Sequence, residues 1–209
     1  MPSTSQTQAA QPPAPTDVAR RWAWIGLLGG ASIGFSLVFA CATPFVALVT
    51  LAALTMSRRD AFIVTGAVWL ANQAVGYGIL DYPRTFDSYA WGVAIGLAVL
   101  LALVTARAVS EQFGRRGPIV ATAIAFLSAF AVYELALYAA SFWLSSSDTA
   151  FSGPIVGYIL QVNALGLVGL AIVRLGASAV GLETRPSAHA ASTRGSGLRS
   201  AGLASYQPR

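Results

Sequence analysis

The chain has 209 residues, of which 56% are hydrophobic and 10% charged, whereas soluble domains carry charge on about a quarter of their residues. Its apolar residues form blocks too long for core strands or helices, so the composition predicts an all-α, multi-pass integral membrane protein and excludes an ordinary soluble domain. The net charge of +5 comes from arginines scattered singly and in pairs between those blocks. That is the pattern of cytoplasmic loops beside a lipid bilayer, not of a nucleic-acid-binding patch.

Residues 1–19 are rich in Pro, Gln, Ser and Thr and read as a disordered cytoplasmic tail. The transmembrane domain is expected over residues 20–181. Its first span covers 22–39, where Gly26, Gly30 and Gly34 repeat at a spacing of four. Such a face lets another backbone approach closely, either within the domain or from a partner membrane subunit. Residues 22–56 contain no charge, and as one helix they would measure roughly 50 Å against a hydrocarbon core of about 30 Å. A turn near Ala40–Pro44 is therefore expected, with Pro44 opening a short second span over 41–56 that is re-entrant or little tilted. A competing reading takes Arg20, Arg21 and the following apolar run to Cys41 as a lipoprotein signal peptide. Phe39 and the apolar residues beyond Cys41 favour an uncleaved helix instead.

The third span, 61–80, holds the stretch WLANQAVGYG. The fourth, 88–106, carries Gly92 and Gly96 as a second small-residue pair. The fifth, 118–144, contains Glu134, and the sixth covers 154–173. Residues 182–209 lack apolar periodicity and read as a second disordered cytoplasmic tail. Six spans with both termini inside place twelve arginines on the cytoplasmic side and only Arg84 outside. That bias favours a bacterial inner (plasma) membrane protein of N-in, C-in topology.

Polar residues within spans are costly unless they meet a partner, water or a ligand. Asn72, Gln73, Glu134, Gln161 and Asn163 all fall roughly 10–15 Å below the outer surface at 1.5 Å per residue. At 100° per residue, Trp69, Asn72, Gln73 and Gly76 share one stripe, and Glu134, Tyr138 and Ser141 a second. Tyr158, Gln161 and Leu165 form a third, whereas Asn163 points away from Gln161; the Tyr158 neighbour favours Gln161 as the cavity residue. The candidate substrate-binding set is thus Trp69, Asn72, Gln73, Glu134, Tyr138, Tyr158 and Gln161. Two explanations stay open: interhelical hydrogen bonding, or a cavity for a small molecule. Tyr82, Phe86, Tyr89, Trp91 and Trp143 read as outer-interface aromatics, and Trp22 and Trp24 as inner ones.

One Cys (Cys41) and one His (His189) leave no metal site to build, and no cofactor motif is present. Neither a phosphate-binding Gly-rich loop with Lys nor a protease or hydrolase constellation occurs, so no catalytic residue is assigned and an enzyme is not expected.

Six spans between cytoplasmic termini, a polar layer in the outer half and the Gly26–Gly30–Gly34 face resemble the S-components of energy-coupling-factor transporters. The resemblance covers residues 20–180 and is one of architecture. It implies capture of a small, water-soluble nutrient, with energy supplied by membrane partner subunits that include an ATPase module. Two further readings are a structural or assembly subunit of a membrane complex, and a self-sufficient proton-coupled carrier using Glu134.

Overall fold

A computed structural model describes residues 17–38, 43–147 and 149–179. Of the expected tails, residues 17–19 are described and open the first helix, while the rest of both tails, the turn at 39–42, Cys41 and His189 lie outside the described residues. Among the described residues there are helices and turns but no strand. Six α-helices follow in order: α1 (Asp17–Val38), α2 (Phe45–Thr55), α3 (Arg58–Gly78), α4 (Phe86–Phe113), α5 (Pro118–Ala140) and α6 (Gly153–Ala179).

Local chemistry sets the boundaries. Ser57 caps α3 by accepting from the Asp60 backbone N–H at 3.2 Å, and Thr85 caps α4 by accepting from that of Ser88 at 3.3 Å. Both are the hydroxyl caps that helix starts favour. Between α4 and α5 the chain reverses through Gly117, whose φ of +101° suits a residue without Cβ. Pro118 then opens α5 at a position where its missing N–H costs nothing.

Three helices, α4, α5 and α6, are long and apolar enough to cross a membrane. Their outer faces are apolar as well: Leu97, Leu101, Leu127, Leu135, Val168 and Ile172 are each more than half exposed. Continuous exposed apolar surface of this kind is a liability in water and fits a lipid environment. The most extensive helix pair is α4 with α5. Each contributes a buried alanine stripe at a spacing of four: Ala98, Ala102 and Ala106 on one, and Ala121, Ala125 and Ala129 on the other.

At the centre stands α2, which touches all five other α-helices. Every residue from Phe45 to Ala53 is buried. The segment expected over 41–56 is helical only for these 11 residues, roughly 16 Å. That is about half of a hydrocarbon thickness. Its threonines satisfy their hydroxyls within the helix, Thr50 donating to the Val46 carbonyl and Thr55 to that of Leu51, both at 2.7 Å. At the arginine-rich end, Arg107 donates to the Met56 carbonyl just past α2. Arg21 of α1 grips the buried Asp60 of α3 through both Nε (2.7 Å) and a terminal nitrogen (2.6 Å). This end is thereby locked, and the opposite end, where α3 gives way to α4 and α5 to α6, holds the open space.

Candidate ligand cavity

The beginning of α2 is the structural problem that creates the site. A helix leaves its first four N–H groups without intrahelical partners, and here they lie inside the bundle, where an unmet donor is expensive. Pro44, at the cap, has no N–H to satisfy, and the other three are met. The Phe45 N–H donates to the Thr43 carbonyl at 2.7 Å, and the first intrahelical bond runs from the Leu48 N–H to the Pro44 carbonyl at 3.1 Å. The two between them, of Val46 and Ala47, donate to Oδ1 of Asn163 on α6, at 3.0 and 3.4 Å. Asn163 is 3% exposed, and its Nδ2 donates back to the Ile159 carbonyl at 3.0 Å. A side chain four helices further along the chain thus caps α2. On the other side, the Thr43 hydroxyl donates to Oδ1 of Asn72 on α3 at 2.6 Å.

Above this capped end opens a cavity of about 560 Å³, within the size range of small-molecule sites. Thr43, Phe45, Asn72 and Asn163 border it from the α2 end. Gln73, Tyr77, Ser88, Trp91, Gly92 and Ile95 form the α3–α4 wall; Tyr133, Leu137, Ile155, Tyr158 and Ile159 form the α5–α6 wall. Among the described residues, no charged side chain lines it. Its polar groups are amides and hydroxyls set among aromatic rings.

The mouth is built by the 79–85 connection and by the α5–α6 loop. Tyr82 also lines the cavity; its N–H donates to the Gly76 carbonyl at 3.0 Å. Its ring lies so close over Gly76 that a Cβ there would come within 2.7 Å of it. Asp81, at φ +50°, makes the turn that brings Tyr82 back. Tyr77 stacks on Tyr89 with centroids 4.8 Å apart and meets Tyr82 edge-on at 6.0 Å. Its hydroxyl is 3.0 Å from that of Ser88. Trp91 Nε1 donates to the Ser145 carbonyl at 2.9 Å, while the Ser145 N–H donates to Asp87 at 3.0 Å. The start of α4 therefore holds the α5–α6 loop in place.

Compared with family models, curated proteins and solved structures, the chain has no match.

Of the residues singled out from the sequence, Asn72, Gln73 and Tyr158 are brought together around the cavity. Trp69 belongs elsewhere: its Nε1 donates to the Gly92 carbonyl at 2.9 Å, and its ring covers Gly96, where a Cβ would lie 2.8 Å away. It bolts α3 to α4 beside a small apolar surface cleft of about 140 Å³. Gln161 is exposed on the outer side of α6, so the preference for Gln161 over Asn163 is corrected: Asn163 is the residue turned inward. Tyr138 is 47% exposed and packs edge-on against Phe142 and Phe151 at 5.1 and 5.3 Å. Glu134 does not border the cavity; it is half-buried, and its Oε1 has no hydrogen-bond partner among the described residues. Tyr82 and Trp91, expected as interface aromatics, face the cavity instead, whereas Phe86 and Trp143 point outward at 87% and 82% exposure. Gly26, Gly30 and Gly34 lie on the exposed side of α1, with open space where a side chain would stand.

Proposed function

We propose that the chain is a six-helix subunit of a bacterial inner membrane, with both termini cytoplasmic, that captures a small, water-soluble, uncharged nutrient in an outer-half cavity. The observation that carries this reading is the cavity itself. It is large enough for a ring-sized solute, lined by amides, hydroxyls and aromatic faces, and without a charged wall. Apolar ring faces with a few placed polar groups are the usual composition of small-molecule sites. The distribution of arginines, with only Arg84 near the cavity end, supports an outward-facing mouth. Transport energy would come from membrane partner subunits including an ATPase module, and the exposed Gly26–Gly30 face of α1 offers such a partner close approach. This is the division of labour that the resemblance to energy-coupling-factor S-components implies. A bundle built around a short, buried helix whose start borders a cavity also suits binding.

The test is thermal unfolding of the purified protein across a panel of water-soluble nutrients, with a search for small molecules that co-purify. At least one uncharged compound should raise the unfolding temperature, and Ile95→Trp, which fills the cavity from α4, should abolish that rise while the protein still folds. A panel without a stabilising compound, or stabilisation that survives Ile95→Trp, would return the chain to the structural-subunit reading.

Glu134 separates the third reading. Since it stands outside the cavity wall, Glu134→Gln is expected to leave ligand stabilisation unchanged within error. Uptake into liposomes that needs no ATPase and is lost in Glu134→Gln would establish a proton-coupled carrier in its place.

A further inference from the structure

The hydrogen-bonding capacity left over at the inner end of the cavity specifies what a ligand must offer there. An Asn side chain has an acceptor oxygen and two donor hydrogens, and the two are told apart only by their partners. For Asn163 the partners decide: two backbone N–H groups, of Val46 and Ala47, can meet only an oxygen. Its Oδ1 is therefore fully engaged, and one Nδ2 hydrogen goes to the Ile159 carbonyl. One hydrogen remains. For Asn72 the partner is the Thr43 hydroxyl at 2.6 Å, which can donate or accept, so this partner does not fix which end of the Asn72 amide faces the cavity. Both Asn side chains border the cavity. The positive end of the α2 dipole lies at the same place. Gln73, on the wall, has no hydrogen bond among the described residues, and Tyr133 and Tyr158 line the cavity beside it. The inner end thus presents one fixed donor, the remaining Nδ2 hydrogen of Asn163, among groups that can serve in either sense.

We infer that the cavity receives its ligand acceptor-end first: a neutral, flat ring compound whose carbonyl oxygen takes the free Nδ2 hydrogen of Asn163. This rests on the binding reading proposed above. A carboxylate would also accept, but no cation lines the cavity to offset its burial. An amine-ended ring would leave that buried hydrogen unmet.

The test compares the amide, amine and carboxylate derivatives of benzene, pyridine and pyrimidine at millimolar concentration, reading thermal stabilisation and quenching of tryptophan fluorescence. The amides should bind at least about tenfold more tightly than the amines, the difference that leaving buried donors unmet produces, and more tightly than the carboxylates. Asn163→Asp should still cap α2, since a carboxylate accepts from both N–H groups, but should lose the preference for amides. Should Asn163→Asp not fold, the ligand provides the same arm: methyl ketones of the same rings, which keep the carbonyl oxygen and lack the amide hydrogens, should bind about as well as the amides, and ketones binding no better than the amines would overturn the inference. Amines binding as well as amides, carboxylates binding best, or a folded variant that keeps full amide binding would each overturn the inference while leaving the cavity a binding site. If none of these rings binds, the inference falls, and the wider nutrient panel shows whether the binding reading falls with it.

Discussion

Asn163→Leu is expected to be the most damaging single substitution that leaves the volume of the core nearly unchanged. It strands the N–H groups of Val46 and Ala47, which now donate to Asn163 at 3.0 and 3.4 Å. A buried, unmet donor costs about 1–3 kcal/mol, so the pair sets a loss of roughly 2–6 kcal/mol, a large share of the stability of a typical domain. The lower part of that range follows if the longer bond to Ala47 contributes little. Unfolding of the detergent-purified protein, followed by heat or by denaturing detergent, should show a sharply lowered midpoint for Asn163→Leu. Asn163→Asp should fall between that variant and the native protein, since it preserves the acceptor for both N–H groups but sets a second carboxylate oxygen against the Ile159 carbonyl and buries it with no cation beside it. Equal stability of the Leu and Asp variants would show that α2 needs no cap from α6.

The physics that makes Asn163 important also hid it from a reading by stripes. On α6, two polar residues compete, and Tyr158–Gln161–Leu165 looks like a functional face because an aromatic accompanies an amide. The inward stripe is the plainer one: Ile159, Asn163, Gly166 and Leu170, with Leu170 wholly buried. Its signal was Gly166, a residue whose only virtue in mid-helix is to admit a neighbour. A smaller error, of one residue or about 100°, separates Glu134 and Tyr138 from Tyr133 and Leu137 on α5, where the buried positions Ala125, Phe126, Ala129, Phe130 and Tyr133 mark the inner face. Both helices are apolar all round, so periodicity within them is weak. On α3, where polar residues interrupt the apolar ones more often, the stripe of Asn72 and Gln73 was legible and reaches the cavity.

Helix positions were easier to foresee than facing. Blocks of apolar residues bounded by arginines mark α3 to α6, because length and hydropathy alone make those segments helical and lipid-compatible. A chain of 35 uncharged residues from 22 to 56 cannot be one helix of bilayer length, and Pro44 shows where the second begins. What composition could not convey is that this second helix sits in the middle. Burial on all sides comes from the five helices around α2, and the sequence of α2 differs little in hydropathy from segments that face lipid. Tyr82 and Trp91 were missed for a related reason. Aromatics at a helix end suit an interface equally well whether they face outward or inward, and only the return of the 79–85 turn over Gly76 decides it.

Gly166 provides the complementary prediction, in which a contact is lost by adding atoms. A Cβ at this position would stand 2.6 Å from Cβ of Pro44 and 3.1 Å from its Cγ. Pro44 is fully buried, and its ring cannot rotate out of the way. Gly166→Ala must therefore push α6 from the start of α2, at a cost of about 1–3 kcal/mol for overpacking. Gly166→Leu should do more, because it lies one turn from Asn163 and separating the helices there also breaks the cap. Gly157→Ala on the same helix is the control: nothing lies within 4 Å of its Cβ, so the change should stabilise by up to about 1 kcal/mol through helix propensity. The two alanine variants are thus expected to move the unfolding midpoint in opposite directions. Ligand stabilisation should be lost only at Gly166, since that is where α6 supports the inner end of the cavity. Parallel behaviour of the two variants would mean that α6 and α2 are not in the register that places Asn163 over the start of α2.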